Sequence, residues 1–355
     1  MTIESFRHRP SPSVDENLPM VSSNYQDRWG GHREMSHYLG IDIGGTNIVC
    51  GAVDEAGRLI GMRKLATEAS RGSADVVSRI ADAAEQLRRE TLGEGRWTAP
   101  GIGVPGFVDH ERGVVELAVN LGWEGFPLAE ELAGRIGAPV HINNDVRMYV
   151  YGEAMAGAGK GVSHVYGITL GTGMAGALVQ EGELFYGGGG IAGEIGHIPV
   201  PGVSFRCTCG LTGCLETVAS ANGLARQARQ AMEEGRQTVL SEWFPGEEAG
   251  RLTAADVTRA WDAGDVLAQE IMDRTGRALA VGLTAAITLY SPQMLVIGGG
   301  AARAGERLLA PMREELQRLL LPAYWNQLGI RTAELLEEAG VVGSAIYAKR
   351  RAERS

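Results

Sequence analysis

The sequence predicts an α/β protein of about two domains. Short apolar runs typical of buried strands alternate with amphipathic runs at helical spacing. A strand–glycine–threonine–strand pattern occurs twice, first around Gly44 and again around Gly171. The chain has 355 residues, more than one average domain, and 44% of them are hydrophobic, which is enough for a sizeable core.

Composition limits the classes of function. The net charge of −10 disfavours broad nucleic-acid binding, which needs a cationic face. Residues 1–37 lack periodic apolar residues and the apolar core of a secretory signal, so we predict a disordered tail there. No apolar run reaches the length of a membrane span. We therefore expect a cytoplasmic protein without a membrane or nucleic-acid partner.

The first glycine-rich turn joins two predicted strands. Tyr38–Ile43 runs into Gly44–Asn47, and Ile48–Val53 follows. Such a turn exposes backbone N–H groups and a hydroxyl, the groups that cradle phosphate oxygens. An ordinary hairpin with a Gly-Gly turn has the same local pattern. Asp42 stands just before the turn and is a candidate for holding Mg²⁺ through water, since Mg²⁺ favours carboxylate oxygens.

A second hairpin and a glycine run complete the nucleotide-binding candidates. Strands predicted over Val165–Leu170 and Met174–Val179 flank Gly171–Gly173, so two hairpins are available to grip a polyphosphate. The predicted strand Gln293–Ile297 ends in Gly298–Gly300. A glycine turn there lets backbone lie against an adenosine, although a plain strand-to-helix turn is equally compatible with the pattern.

Asp145 is the candidate catalytic base. The predicted strand Pro139–Ile142 delivers it at its C-terminal end, where α/β sheets bind ligands, and a helix follows. Taken alone, Asp145 is compatible with a helix N-cap; together with the phosphate hairpins it indicates a base for a hydroxyl nucleophile. Another predicted strand, Gly101–Val108, contains Pro105-Gly106, where we expect the missing side chain of Gly106 to admit a ligand.

Amphipathic spacing predicts the principal helices, and Ser73 is placed to cap the first of them. These helices are Ser73–Leu92, Leu128–Ile136, Leu224–Glu233, Thr253–Ala263 and Asp265–Leu289.

The segment Gly189–Glu216 predicts a metal site. It contains three of the four cysteines, Cys207, Cys209 and Cys214, and His197 lies ten residues upstream of the first. Thiolate and imidazole are the donors that Zn²⁺ prefers. Chance clustering and a disulfide are the alternatives, and a disulfide within Cys-x-Cys would be strained.

Three stretches together resemble the ROK family of bacterial sugar kinases and repressors, in the sugar kinase/actin/Hsp70 superfamily. They are DIGGTN from Asp42, LGTGMAGALVQEGELFYGGGGIAGEIGH from Leu170 and CTCGLTGCLE from Cys207, and the likeness covers roughly residues 38–350. The resemblance implies two ribonuclease-H-like (actin-like ATPase) α/β lobes with a cleft between them. The smaller lobe would comprise residues 38–145 plus about 335–355, and the larger lobe residues 146–334, including the zinc site.

The resemblance also implies roles for particular residues, with Asp145 as catalytic base. The implied zinc ligands are His197, Cys207, Cys209 and Cys214. The implied sugar-binding residues are Gly106, Asn144, Asp145, Glu194, His197 and Glu216. The implied ATP-binding residues are Asp42, Gly44, Gly45, Thr46, Asn47, Gly171, Thr172, Gly173, Gly298, Gly299 and Gly300.

The implied activity is that of an ATP-dependent hexose kinase of the glucokinase type. It would transfer the γ-phosphoryl group of MgATP to a sugar hydroxyl, the 6-hydroxyl being the expected acceptor, and the family implies a homodimer with structural Zn²⁺. An N-acylhexosamine or amino-sugar kinase is the nearest alternative, and Val146, where the family often has alanine, leaves the sugar open.

Two alternatives belong to other classes of protein. A ROK-type repressor needs a helix-turn-helix before the first hairpin, and residues 1–37 are too short and too poor in apolar periodicity to supply one. A zinc-knuckle nucleic-acid binder is disfavoured by the net charge of −10.

Overall fold

The computed structural model of the protein describes residues 36–354. Of the tail predicted over residues 1–37, all but Ser36 and His37 therefore lies outside the described residues. The described chain forms thirteen strands: β1 (Tyr38–Ile43), β2 (Asn47–Val53), β3 (Leu59–Ala66), β4 (Ala99–Val104), β5 (Phe107–Asp109), β6 (Val114–Ala118), β7 (Trp123–Phe126), β8 (His141–Asn144), β9 (His164–Leu170), β10 (Met174–Gln180), β11 (Glu183–Leu184), β12 (Met294–Gly298) and β13 (Gly329–Thr332).

Between and after these strands the same part of the chain forms eleven α-helices: α1 (Ser73–Leu92), α2 (Leu128–Ile136), α3 (Asp145–Met155), α4 (Glu216–Ala219), α5 (Ala221–Glu233), α6 (Leu240–Trp243), α7 (Ala254–Asp262), α8 (Val266–Tyr290), α9 (Glu306–Leu319), α10 (Pro322–Trp325) and α11 (Ala339–Ala352). None of these helices combines the length and the apolar character needed to cross a bilayer.

Two five-stranded sheets share one topology. The first has the order β3-β2-β1-β4-β8 and the second β11-β10-β9-β12-β13. In both, a hairpin comes first, and its opening strand then pairs in parallel with the next long strand. Because parallel strands end at the same edge, the residues that follow β1, β4 and β8 meet at one edge of the first sheet.

Helices α3 and α11 pack closely together, and α3 reaches both large sheets. Where the two helices cross, a Cβ on Gly343 would lie 1.8 Å from the Met148 carbonyl oxygen, so only glycine allows this approach. Gly103 of β4 lies against Met148, and Gly167 of β9 lies against Val150 on the same helix. Helix α11 covers the first sheet, with its backbone against β1 and β4.

Each large sheet contributes to a separate buried cluster. The first is filled by Leu39, Ile41 and Ile102 from the strands and by residues of α1 and α2. The second is filled by Ile168 and Ile297 together with α5, α7, α8 and α9. Burial of these apolar side chains, at roughly 25 cal/mol per Å², is the main stabilising contribution that fixes the two sheets.

Most predicted elements are confirmed, and two details were wrong. Ser73 does not cap α1: it is the first helical residue, and Gly72 occupies the cap position without a side-chain bond. The single strand predicted over Gly101–Val108 is two strands, because the chain turns at Pro105-Gly106 and Phe107 begins a separate three-stranded sheet, β5-β6-β7. That small sheet was not predicted.

Candidate active site and metal cluster

Asp145 occupies the first helical position of α3, directly after β8. The side-chain oxygen of Asn144 accepts a hydrogen bond from the Arg147 N–H at 3.2 Å and so caps the helix. The interpretation of Asp145 as the cap is therefore wrong, and its carboxylate is not needed for that role. Its Oδ1 accepts the neighbouring Val146 N–H at 2.9 Å, and the side chain of Asn144 also donates to this carboxylate.

The surroundings of Asp145 suit a general base. Burial raises the pKa of its carboxyl group to about 6, and the negative charge of Glu194 acts in the same direction. The Val146 N–H opposes this effect by stabilising the carboxylate. A base with a pKa near 6 is ionised at neutral pH and is still able to accept a proton in a transition state.

Asp42 lies close to Asp145 and at the start of α11. A Cβ on Gly340, in the first turn of that helix, would lie 2.7 Å from Asp42 Oδ2. Burial, reinforced by the charge of Asp145, raises the pKa of Asp42 to about 7. A divalent cation beside Asp42 would offset the repulsion from Asp145 that raises the pKa of Asp42, and carboxylate oxygen is the donor that Mg²⁺ prefers.

A backbone hydrogen bond closes the turn of the first glycine hairpin, and the tip of the turn is exposed to solvent. The Gly44 N–H donates to the Asn47 carbonyl at 2.9 Å, and Thr67 supports the turn from below through bonds to the Gly44 and Thr46 carbonyls. Gly45, Thr46 and Asn47 are exposed. The N–H groups and hydroxyl at this tip are therefore available to an anion.

The second hairpin has the same construction. The Gly171 N–H donates to the Gly173 carbonyl at 3.0 Å, and Thr172 is exposed at the tip. The Met174 N–H that follows donates to Glu216 Oε2 at 3.3 Å. This bond joins the hairpin to the segment that carries the cysteines.

Only one of the three glycines at the end of β12, Gly298–Gly300, faces open space. A Cβ on Gly298 would lie 2.4 Å from the Tyr149 hydroxyl oxygen, and one on Gly299, whose φ is +88°, would lie 2.6 Å from the Leu170 nitrogen. Gly300 has no neighbour within 4 Å and is exposed. The first two glycines are thus explained by packing, and Gly300 is the one that leaves room for a ligand.

Gly106 does not provide the free space that was expected of it. Its φ is +95°, and a Cβ would lie 2.0 Å from the Leu117 carbonyl oxygen, so the small sheet occupies that space. That part of the prediction was wrong. Its carbonyl accepts a hydrogen bond from Asn144 Nδ2 at 3.1 Å, which ties the turn to the residue beside Asp145.

The four predicted zinc ligands come together. One donor atom from each of His197, Cys207, Cys209 and Cys214 lies within 4.8 Å of the others. The Cys209 and Cys214 sulfurs are 3.7 Å apart, and Cys207 Sγ is 3.7 Å from His197 Nδ1. Tetrahedral Zn²⁺ would require about 3.8 Å between sulfurs and about 3.6 Å between sulfur and nitrogen, so the cluster fits this ion. The cysteines are free, not disulfide-bonded.

Glu194 and Glu216 lie beside the two nitrogens of the histidine ring in the cluster of cysteines and His197. His197 Nε2 lies 3.9 Å from Glu194 Oε2, and His197 Nδ1, which faces the sulfurs, lies 4.0 Å from Glu216 Oε1. The Cys207 thiol donates to Glu216 Oε1 at 3.0 Å. The geometry thus joins the cluster, the second hairpin and Glu194 in one continuous structure.

Arg147 and Tyr186 were missed by the sequence reasoning. Arg147 donates to the segment that leads to Glu194, and Tyr186 begins that segment. Asn143 Nδ2 donates to the Tyr186 hydroxyl at 2.8 Å. The only signal available was a charged residue, Arg147, near the start of a helix whose neighbours Met148 and Val150 are apolar.

Comparisons with known proteins assign the family. The model of the ROK family matches residues 38–351. A glucokinase from Halalkalibacterium halodurans is 36% identical over 325 residues, covering 91% of this chain and 96% of that protein. A glucokinase from Thermotoga maritima is 37% identical over 319 residues, covering 88% and 97%.

Solved structures agree with the sequence relatives. A ROK family glucokinase from Streptomyces griseus, crystallised with glucose and AMPPNP, superposes with a TM-score of 0.74 at 33% identity and covers 89% of this chain and 100% of its own. The predicted fold class, an α/β protein of the actin-like ATPase type, is thereby confirmed. The chain belongs to the ROK family.

Proposed function

We propose that this protein is an ATP-dependent hexose kinase of the glucokinase type. The observation that carries the proposal is the environment of Asp145. Its carboxyl group has a pKa of about 6 and lies near Glu194, and Asn144 caps the helix in its place. Asp145 also lies at the same sheet edge as the first glycine hairpin. The similarity to curated glucokinases over most of the chain supports the same activity.

Each group of residues has a task in phosphoryl transfer. Asp145 accepts the proton of the acceptor hydroxyl, for which we propose the primary 6-hydroxyl of a hexose. Asn144, Gly106, Glu194, His197 and Glu216 hold the sugar. MgATP supplies the phosphoryl group and its charge compensation when bound. Asp42 would orient the Mg²⁺ ion, and the amides and hydroxyls of the two hairpins would hold the phosphates.

We propose that the cysteine cluster binds structural Zn²⁺. Four protein donors complete a tetrahedral shell and leave no position for substrate, which is the structural pattern. Ligation requires Cys207 as thiolate, and a thiolate has no proton to donate to Glu216. Metal loading would thus free Glu216 Oε1 to accept a hydrogen bond from a sugar hydroxyl.

The remaining architectural predictions are proposals supported by the topology. The two sheets of equal order favour a smaller lobe of residues 38–145 plus about 335–355 and a larger lobe of residues 146–334. A homodimer and a cytoplasmic location remain predictions.

The activity is tested by coupling ATP consumption to a panel of aldohexoses, N-acylhexosamines and amino sugars. We expect glucose to give the largest kcat/KM. A larger value for an N-acylhexosamine or an amino sugar would select that kinase instead. Protein that carries zinc but phosphorylates none of these sugars would contradict a kinase and leave the repressor as the remaining candidate.

A further inference from the structure

The segment that leads to Glu194 is rich in glycine and therefore has high conformational freedom. It runs from Tyr186 through four consecutive glycines, Gly187–Gly190, to Gly193. Glycine loses more conformational freedom on folding than any other residue, so such a run needs external contacts to stay in one conformation. Glu194 follows it directly. The Gly176 N–H of β10 holds the Gly193 carbonyl at 2.8 Å, so the part of the segment that still needs such contacts is the glycine run before Gly193.

Arg147 supplies these contacts from α3. Its guanidinium group donates to the Gly190 carbonyl and, at 3.1 Å, to the Ala192 carbonyl. It also lies 5.2 Å from the centre of the Tyr186 ring. The residue is only 6% exposed, and a buried cation is costly unless its donors are satisfied. Nη2 makes both carbonyl bonds, and the ring face lies beside the guanidinium carbon.

Tyr186 fixes the other end of the same segment. Its ring stacks on His110, with centroids 4.0 Å apart and planes within 6°. Its hydroxyl oxygen accepts from Asn143 and lies 3.4 Å from the Tyr347 hydroxyl oxygen. The segment is therefore attached at both ends to residues two positions from Asp145, Asn143 on one side and Arg147 on the other.

The bond between Arg147 and the Ala192 carbonyl connects the chain next to Asp145 with the chain next to Glu194. Arg147 is two residues after Asp145 on the rigid helix α3, and the Ala192 carbonyl that it binds is two residues before Glu194. We infer that Arg147, with Tyr186, is a positioning residue that sets the location of Glu194 relative to Asp145. The inference rests on the proposed sugar kinase activity, in which Glu194 binds the sugar and Asp145 accepts its proton.

The experiment compares Arg147→Ala and Arg147→Lys with the full-length wild-type protein. We expect Arg147→Ala to lower kcat/KM for the hexose by about 10- to 100-fold, because small displacements of binding groups have effects of that size. The KM for ATP should change less than about twofold, because Arg147 binds the carbonyls of Gly190 and Ala192, which lie outside both hairpins. Arg147→Lys should recover part of the loss, since an ammonium group still donates to at least one carbonyl.

Arg88→Ala is the matched control. Arg88 also donates to two backbone carbonyls, those of Gly93 at 2.6 Å and Gly95 at 2.8 Å, but it belongs to α1. Loss of its contacts should alter thermal stability without altering the KM for hexose. A fall in hexose kcat/KM in Arg88→Ala equal to that in Arg147→Ala would mean that the effect is one of stability and would overturn the inference.

Hydrogen exchange of the amides in residues 187–193 tests the inference without activity. In Arg147→Ala these amides should exchange at least about tenfold faster than in the wild type, with exchange in the first hairpin unchanged. Unchanged exchange together with an unchanged hexose KM would overturn the inference. If the wild-type protein phosphorylates no sugar but exchange is still faster in Arg147→Ala than in the wild type, the proposed function is refuted. The contact between Arg147 and the segment would then still stand.

Discussion

The two large sheets have the same strand order but different residues at their functional edges. In the first sheet, Asp42 lies two residues before the first glycine of the hairpin; at the corresponding point of the second sheet stands Thr169. The last strand of the first sheet, β8, delivers Asp145, whereas the last strand of the second, β13, is followed by the buried Ala333.

The two edges differ in the charge of the side chains that they carry. The first sheet places two carboxylates in surroundings that raise the pKa of each above its ordinary value. The second places neutral glycines and Thr172 at the matching edge and connects them, through Glu216, to the metal cluster. Under the proposed function, both hairpins would hold phosphate, and only the first sheet would add carboxylates for proton transfer and Mg²⁺.

Removal of the base should have the largest effect. Asp145→Asn should lower kcat by about 10²- to 10⁴-fold, because the variant cannot accept the proton of the acceptor hydroxyl. The KM for ATP should stay near the wild-type value. Steady-state kinetics on the best sugar of the panel provides the measurement, and a kcat within about tenfold of wild type would remove Asp145 from the role of base.

Asp54→Asn provides the control for this substitution. Asp54 follows β2 at the opposite edge of the same sheet, where its Oδ1 accepts from the Ala56 and Arg58 amides, both at 2.9 Å. Its replacement should leave kcat unchanged. Asp145→Asn should not lower the melting temperature on electrostatic grounds, since burial disfavours the ionised carboxylate that it replaces.

The second sheet's link to the metal cluster should have the next largest effect. His197→Ala should lose bound zinc and raise the hexose KM, whereas Glu194→Ala should raise the hexose KM by about 10- to 100-fold with zinc retained, because Glu194 is not a ligand. Metal analysis of both purified variants, alongside kinetics, makes the comparison. Equal zinc content in the two variants would show that the cluster does not position the sugar site as proposed.

Local patterns predicted the strands and hairpins, because their signals lie in short stretches of chain. The apolar run of β1 and the glycine–threonine turns can be recognised from a few consecutive residues, without tertiary information. The turn at Gly106 was misjudged because the Leu117 carbonyl that fills its free space comes from a sheet with no periodic signal of its own. The contact between Arg147 and the glycine run was invisible for the same reason: it joins segments that only the fold brings together.

The pH dependence of kcat/KM should report on Asp42 and Asp145 at the edge of the first sheet, because the matching edge of the second sheet carries glycines and Thr172. With the pKa of Asp145 at about 6, kcat/KM for the hexose should fall about tenfold per pH unit below that value. Since Asp42 titrates nearby, with a pKa of about 7, the apparent values belong to the pair. A rate profile that stays flat from pH 5 to pH 8 would contradict this assignment.

Stability should follow the same two groups with a defined sign. Both pKa values are raised on folding, so the folded state binds more protons than the unfolded state, and the stabilising contribution is complete below about pH 4 and lost as the pH rises through 6 and 7. Compared with the double variant Asp42→Asn/Asp145→Asn, the wild type should lose melting temperature between pH 5 and pH 8. A difference that is constant with pH would mean that neither carboxyl group is perturbed.

The two hairpin threonines offer the smallest and most direct test of the comparison. Thr46→Ala and Thr172→Ala each remove one exposed hydroxyl and leave intact the backbone bonds that close their turns. A hydrogen bond of about 0.5–1.5 kcal/mol corresponds to a rise in the KM for ATP of roughly 2- to 13-fold, with the hexose KM unchanged. Thr98→Ala, an exposed threonine just before β4 at the opposite edge, should change neither constant. If both hairpins grip the phosphates, the two variants should have similar effects and the double variant the product of both. An effect confined to Thr46 would mean that the carboxylate-bearing sheet alone binds phosphate, and the functional resemblance between the two sheets would then end at their topology.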